Sequence, residues 1–117
     1  MYQYKARVIR IVDGDTMDVD IDLGFDIHTH TRVRVLDLDT PETWRPISMD
    51  EREHGMQAKA EARRLLFGKE LTVETSKGKG KGKYGRWLVK IILPNGWDYA
   101  EYMNLNGFAK RKSYILD

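Results

Sequence analysis

The sequence DGDTMDVDIDL, residues 13–23, places a tight-turn signal directly before a strand. Met17, Val19, Ile21 and Leu23 alternate with aspartates, and this period of two is typical of a strand with one buried face. The Asp-Gly-Asp that precedes them is typical of a turn between strands. The stretch therefore predicts a β-hairpin corner of a small sheet, with the aspartates of the strand on its solvent side.

The segments on both sides of this stretch predict further strands. Residues 2–12 form the preceding strand, and their hydrophobic phase changes after Val8, which indicates a β-bulge or a strong bend. A turn over residues 24–29 leads to a third strand, residues 31–38, whose phase changes after Val35. Three consecutive strands are therefore expected in the first third of the chain.

Two helices are expected in the rest of the chain. Ser48 and Glu51 have the spacing of a capping box, and an apolar stripe continues from there to about Phe67. A second capping pattern begins at Asp98, and Gly107 is placed to end that helix. The remaining predicted strands are residues 71–74 and 87–93.

The order of these elements predicts an α+β fold, a five-stranded Greek-key β-barrel of the OB type with two helices. A length of 117 residues suits one domain, residues 1–117. The absence of cysteine excludes a disulfide scaffold, a thiol nucleophile and a thiolate zinc site. The longest wholly apolar stretch, residues 91–93, is too short to span a membrane.

Charge is divided unevenly along the chain. Residues 1–60 contain eight Lys or Arg and twelve Asp or Glu, whereas residues 61–117 contain twelve and six. Solvated surface charge is the simplest explanation, but the division also fits one region that holds a cation and another that holds an anion. After Ser76, lysine and glycine alternate over residues 77–83, which predicts a cationic loop that is either a solvated hairpin loop or a phosphate-binding arm. We favour the arm, formed by Lys77, Lys79 and Lys81.

Three segments together carry the residue types that phosphodiester hydrolysis needs. They are DGDT at residues 13–16, DTPET at residues 39–43 with Arg34 five residues before it, and KYGR at residues 83–86. Hard oxygens can hold a metal ion, a carboxylate can act as a base on water, and arginines can stabilise charge on phosphorus. Each segment alone is an ordinary turn or surface motif, so the prediction depends on their joint occurrence.

With GFAK at residues 107–110, these motifs resemble the staphylococcal nuclease family, and the resemblance extends from Ala6 to about Lys112. It implies an OB barrel with helices, in agreement with the fold predicted above. It also implies a Ca²⁺-dependent endonuclease that hydrolyses DNA and RNA at the P–O5′ bond and leaves 3′-phosphate ends. The expected partner is therefore DNA, RNA or both. The protein is expected to be a monomer that does not associate with a membrane.

The resemblance also implies roles for individual residues. Asp15 and Asp39 match the carboxylates that bind the metal, and Thr40 matches the residue whose backbone carbonyl completes the set. Glu42 matches the general base that acts on a water molecule. Pro41 restricts the chain between ligand and base, which keeps their relation constant.

The substrate-binding residues are implied in the same way. Arg34 and Arg86 match the arginines that bind the scissile phosphate and stabilise the transition state, where bidentate contacts favour arginine over lysine. Lys83 and Tyr84 match residues that line the nucleotide pocket. The family's stacking tyrosine falls at Ser113 in this sequence, so we expect its neighbour Tyr114 to replace it.

Two further departures and two alternative functions remain. Ser48 stands where the family has a lysine, and the chain stops at Asp117, so the family's final helix is expected to be absent. The alternative function is a non-catalytic OB module that binds single-stranded nucleic acid, but such modules lack the acidic residues and arginines that this chain retains. A protein-interaction domain that reads methylated ligands is a third reading, but it requires an appended aromatic-cage module.

The N-terminus shows no basic segment followed by an apolar run, so we expect no signal peptide. Familiar members of the family are secreted, whereas this chain is expected to act inside a cell, as a phage or plasmid protein would, unless a leader was removed. Free Ca²⁺ is scarce inside cells, which makes Mg²⁺ or Mn²⁺ the alternative cofactors.

Overall fold

A computed structural model describes residues 2–44, 46, 48–75, 86–111 and 114. Five strands form a closed barrel in the order β1-β2-β3-β5-β4. Within it, β3 and β5 are parallel and the other neighbouring pairs are antiparallel. This confirms the predicted OB-type α+β barrel with two helices. The elements are β1 (Tyr2–Asp13), β2 (Thr16–Asp22), β3 (His28–Val35), α1 (Met49–Leu66), β4 (Leu71–Thr75), β5 (Trp87–Ile92) and α2 (Tyr99–Leu105).

The predicted bulge in β1 is confirmed. Val8 pairs with Val19 of β2, but the next paired residue of β1 is Arg10, so Ile9 is the extra residue. Ile9 is accordingly exposed, while Val8 and Val19 point into the core. The bulge keeps the apolar side chains on both sides of it inside the barrel, and β1 continues to Asp13 at the turn before β2.

The predicted third strand extends too far along the chain. β3 ends at Val35, and Asp37 has a φ of 63°, a left-handed conformation that cannot continue a strand. The apolar pattern misled the prediction because Leu38 is buried although it lies in a loop. The phase change after Val35 therefore marks the end of the strand, and the loop that follows returns Asp39 towards the barrel.

The two helices cover the barrel as predicted. The Ser48 side chain accepts a hydrogen bond from the Glu51 N–H at the start of α1, and the Asp98 side chain accepts one from Ala100 at the start of α2. α1 ends one residue earlier than predicted. Among the residues described, no helix is both long enough and apolar enough to span a membrane. The two helices bury Ala58, Ala62, Leu66, Tyr99, Ala100 and Met103 against the barrel.

Gly55 allows α1 to lie directly against the DTPET loop. A Cβ atom on Gly55 would lie 2.8 Å from the Pro41 carbonyl oxygen and 3.0 Å from that of Glu42. Backbone oxygens cannot rotate away as a side chain can, so this close approach requires glycine. The helix therefore supports the loop that carries the predicted base.

We expect Gly55→Ala to lower the free energy of unfolding, measured by urea denaturation. Alanine gains about 1 kcal/mol in helix propensity, but overpacking against backbone costs about 1–3 kcal/mol. The control is Gly68→Ala, where φ is 77° and no atom lies within 4 Å of the added Cβ, so only the left-handed backbone is strained. Amide NMR shifts of residues 40–43 should change only in Gly55→Ala. A stabilised Gly55→Ala protein would contradict the close contact.

Candidate active site

The guanidinium of Arg34 joins the two predicted metal ligands. Its Nη1 lies 2.7 Å from Asp15 Oδ2, and its Nη2 lies 3.4 Å from Asp39 Oδ1. Nη2 also donates to the Leu38 carbonyl at 3.3 Å. Partial burial lowers the pKa of Arg34, but the two carboxylates outweigh burial and raise the pKa overall. Both aspartates thus share one guanidinium, whose single positive charge offsets only one of their two negative charges.

Strand register brings Arg34 to this position. Thr16 at the start of β2 pairs with Arg34 of β3, and the Val35 N–H donates to the Asp15 carbonyl at 2.9 Å. Asp15 belongs to the turn that precedes β2. The guanidinium and the carboxylate therefore meet across two neighbouring strands, although 18 intervening residues separate them in sequence.

The two aspartates differ sharply in environment. Asp15 is only 5% exposed, and its carboxylate accepts hydrogen bonds from the Thr16 hydroxyl and the Thr40 N–H, both at 2.9 Å. The Asp39 side chain is 68% exposed. Asp15 is therefore held in one orientation, whereas Asp39 faces solvent on a loop.

Glu42 lies near the same group of carboxylates. Burial raises its pKa first, followed by the negative charges of Asp13, Asp15 and Glu51, while Lys110 opposes them. The loop is attached to the end of β1, because the Thr43 hydroxyl donates to Asp13 Oδ1. A carboxylate with a raised pKa, exposed beside the metal-ligand candidates, is suited to accept a proton.

The structure places a further residue pair, Glu51 and Lys110, beside the site. The sequence indicated no catalytic or binding role for either residue. Glu51 is fully buried, and the Lys110 Nζ lies 3.2 Å from its Oε2. The Lys110 backbone N–H also donates to the Asp39 carbonyl at 2.6 Å. The contact with Glu51 is the main cause of a raised Lys110 pKa. The lysine of GFAK and the capping-box glutamate were both visible in the sequence, but their contact was not.

A cavity of about 430 Å³ lies beside Arg34 and Asp39. Its walls combine apolar side chains with basic, acidic and amide groups. The residues that line it include Arg34, Leu36, Asp39, Leu88, Asn104 and Lys110.

The oxygen donors agree in chemistry with a hard cation such as Ca²⁺. Asp15 and Asp39 face the same cation, Arg34, and the hydroxyl of buried Thr40 has no hydrogen-bond partner among the described residues. Within the described ranges, no three or more His, Asp or Glu side chains are grouped so that they could hold a metal. The predicted metal site has only two such side chains, Asp15 and Asp39, together with the Thr40 carbonyl. It is therefore smaller than the groups to which this absence refers.

The other predicted site residues fall in different places. Arg86 is partly buried and directly precedes β5, which is parallel to the strand that carries Arg34. Tyr114 is buried, with its hydroxyl 2.9 Å from His54 Nδ1 and the Arg111 guanidinium 4.5 Å from its ring centre. The described contacts of Tyr114 thus join it to α1 rather than to Arg34. The predicted residues that lie outside the described residues are Lys77, Lys79, Lys81, Lys83 and Tyr84.

We expect the two aspartates to differ in their contribution to stability in the absence of divalent metal. Asp15→Asn removes a buried charge that accepts two hydrogen bonds and pairs with Arg34, and charged hydrogen bonds contribute about 1.5–3 kcal/mol each. Asp39→Asn alters an exposed ion pair, for which about 0–1 kcal/mol is typical. Urea denaturation in EDTA measures both. Equal losses would show that Asp15 is not the fixed carboxylate described above.

The comparison with protein families agrees with this arrangement. The model for the staphylococcal nuclease homologues matches residues 32–116, which include Arg34, the DTPET loop and Arg86. No curated protein sequence matches the chain. Because the match covers most of the chain, and the closed barrel and the arginine-bridged aspartates fit it, the chain belongs to the staphylococcal nuclease homologue family.

Proposed function

We propose that this protein is a Ca²⁺-dependent nuclease that hydrolyses phosphodiester bonds of DNA, RNA or both. Family membership indicates a nuclease-type domain. The observation that supports catalysis in this chain is the arrangement of Arg34 between Asp15 and Asp39, with Glu42 close enough to sense the carboxylate charges.

Each side chain has a task in this proposal. Asp15, Asp39 and the Thr40 carbonyl would hold the metal, which would supply Lewis-acid polarisation of the phosphate and of a water molecule. Glu42 accepts the proton of the attacking water as its oxygen bonds to phosphorus. The P–O bond to the leaving sugar oxygen then breaks, and that oxygen leaves with a proton from solvent.

The arginines neutralise charge on the phosphate oxygens. Arg34 engages a phosphate most easily by releasing Asp39, since that contact is the longer one at 3.4 Å and lies at the exposed side of the site. Arg86 approaches from the start of β5. Lys83, Tyr84 and Tyr114, with the arm of Lys77, Lys79 and Lys81, are assigned to substrate binding on the strength of the sequence alone.

The direct test is cleavage of plasmid DNA, single-stranded DNA and RNA with Ca²⁺, with EDTA and with Mg²⁺ or Mn²⁺. We expect metal-dependent cleavage, reduced in Glu42→Gln by about 10²–10⁴-fold because a general base contributes that much. Unchanged circular dichroism of the variant would exclude loss of fold. If no metal supports cleavage while single-stranded nucleic acid still binds, the binding-module alternative is correct instead.

A pair of arginine variants tests the bridging role of Arg34. Lysine has one nitrogen and cannot contact Asp15 and Asp39 as a guanidinium does, so Arg34→Lys should lower the cleavage rate on the order of 10³-fold. The matched control is Arg32→Lys on the same strand, because Arg32 makes two contacts to exposed Asp18, at 2.8 and 3.2 Å. Arg32→Lys should cleave nearly as fast as the unmodified protein. Equal losses in the two variants would show that the effect is not specific to the contacts of Arg34 with Asp15 and Asp39.

A further inference from the structure

A buried hydroxyl group from α2 reaches the turn that carries Asp15. Tyr99 is fully buried, and its Oη donates a hydrogen bond to the Gly14 carbonyl at 2.6 Å. Burial, and then the charge of Asp15, raises the pKa of Tyr99, so the hydroxyl remains a donor at neutral pH. The contact joins residues 85 positions apart in the sequence.

Close packing around the Gly14 Cα also encloses this turn. A Cβ atom on Gly14 would lie 2.8 Å from Thr40 Cγ2 and 3.2 Å from Ala58 Cβ. The turn is therefore enclosed by the DTPET loop and α1 on one side, and its carbonyl is held by Tyr99 of α2. Movement of Gly14 would have to break the hydrogen bond or displace one of these neighbours.

The hydrogen bond of Tyr99 acts on the backbone immediately before Asp15. The Gly14 carbonyl and the Asp15 N–H belong to one rigid peptide plane, so the tyrosine restrains the orientation of that plane. The next plane is restrained by the Val35 N–H, which donates to the Asp15 carbonyl at 2.9 Å. Both peptide planes that flank the Asp15 Cα are thus tied to other elements.

The side chain of Asp15 receives independent support. Thr16 donates to one carboxylate oxygen, and Thr40 and Arg34 donate to the other. These contacts can hold the carboxylate in its observed direction only while the Cα–Cβ bond keeps its own direction. That direction is set by the two flanking peptide planes, so the Tyr99 hydroxyl contributes to it without touching the carboxylate.

We propose that Tyr99 is a positioning residue for Asp15, which couples helix α2 to the geometry of the metal ligand. The effect of Tyr99 on metal binding and cleavage rests on the proposed nuclease function. Its effect on the position of the turn does not. The alternative role is purely structural, in which the hydroxyl only satisfies a buried carbonyl and contributes to global stability.

Tyr102 provides a matched control on the same helix. Its hydroxyl donates to Glu61 Oε2 of α1 at 2.7 Å, and it accepts from Arg64 at 3.2 Å. Tyr102→Phe therefore removes an inter-helix hydrogen bond of similar length that does not involve the turn. If both phenylalanine variants lose a similar free energy of unfolding, that loss reports the structural role of a hydrogen-bonded hydroxyl. If only Tyr99→Phe changes the hydrogen bonds to Asp15, that difference reports positioning.

The first measurement is amide hydrogen exchange by NMR without metal. In Tyr99→Phe, the N–H groups of Thr40 and Val35, which donate to Asp15, should exchange about tenfold faster relative to the Leu36 N–H, which donates to Val89. A tenfold change corresponds to about 1.4 kcal/mol, which lies within the usual net contribution of one hydrogen bond. In Tyr102→Phe the ratio should not change. Equal acceleration of all three amides in Tyr99→Phe would overturn the proposal.

The second measurement is the Ca²⁺ concentration that gives half-maximal cleavage. Tyr99→Phe should raise it by about tenfold with a smaller effect on the rate at saturating Ca²⁺, since the hydroxyl contacts no substrate. Tyr102→Phe should leave it unchanged. If the unmodified protein does not cleave, the proposed function fails, and the exchange ratio alone still decides the positioning role.

Gly14→Ala provides a second way to disturb the turn, and it leaves the Tyr99 hydroxyl in place. Its Cβ presses on Thr40, so the exchange ratio should change in the same direction as in Tyr99→Phe. This variant decides the question if Tyr99→Phe does not fold. An unchanged ratio in Gly14→Ala would show that the turn does not control the groups that donate to Asp15.

Discussion

A buried carboxylate is the constraint on which the site depends. Asp15 is 5% exposed, and a charge in that environment is tolerated only when it is paired and hydrogen-bonded. Its donors come from the start of β2, from β3 and from the DTPET loop. The barrel therefore has to close with these three segments side by side. The buried Asp15 needs its ion pair with Arg34, and this need links the fold to the site.

The helices hold the loops that the barrel leaves unsupported. α1 contacts the DTPET backbone at Gly55 and contributes the buried Glu51, which pairs with Lys110. Lys110 in turn donates its N–H to the Asp39 carbonyl. The backbone of Asp39 is thereby restrained while its carboxylate stays exposed. Such a combination would suit the metal-ligand role proposed for Asp39, in which its carboxylate would leave Arg34 for a metal ion.

Much of the fold could be predicted because the relevant signals are local. A period of two marks strands, a capping box marks the start of α1, and the phase change after Val8 marks a real bulge. The end of β3 was predicted wrongly because burial of Leu38 in a loop produces the same apolar signal as a strand. Periodicity reports which side chains are buried, and it cannot distinguish a strand from a loop folded onto the core.

The sequence by itself determined the residue types of the site and their local turns: acids in DGDT and DTPET, an arginine on a predicted strand, and the barrel that carries them. Only the tertiary structure decided their partners. Strand register set Arg34 beside Asp15, and the packing of α2 brought the Tyr99 hydroxyl to Gly14, 85 residues away. Contacts between distant segments depend on how the whole chain closes, whereas turns and caps depend on neighbouring residues.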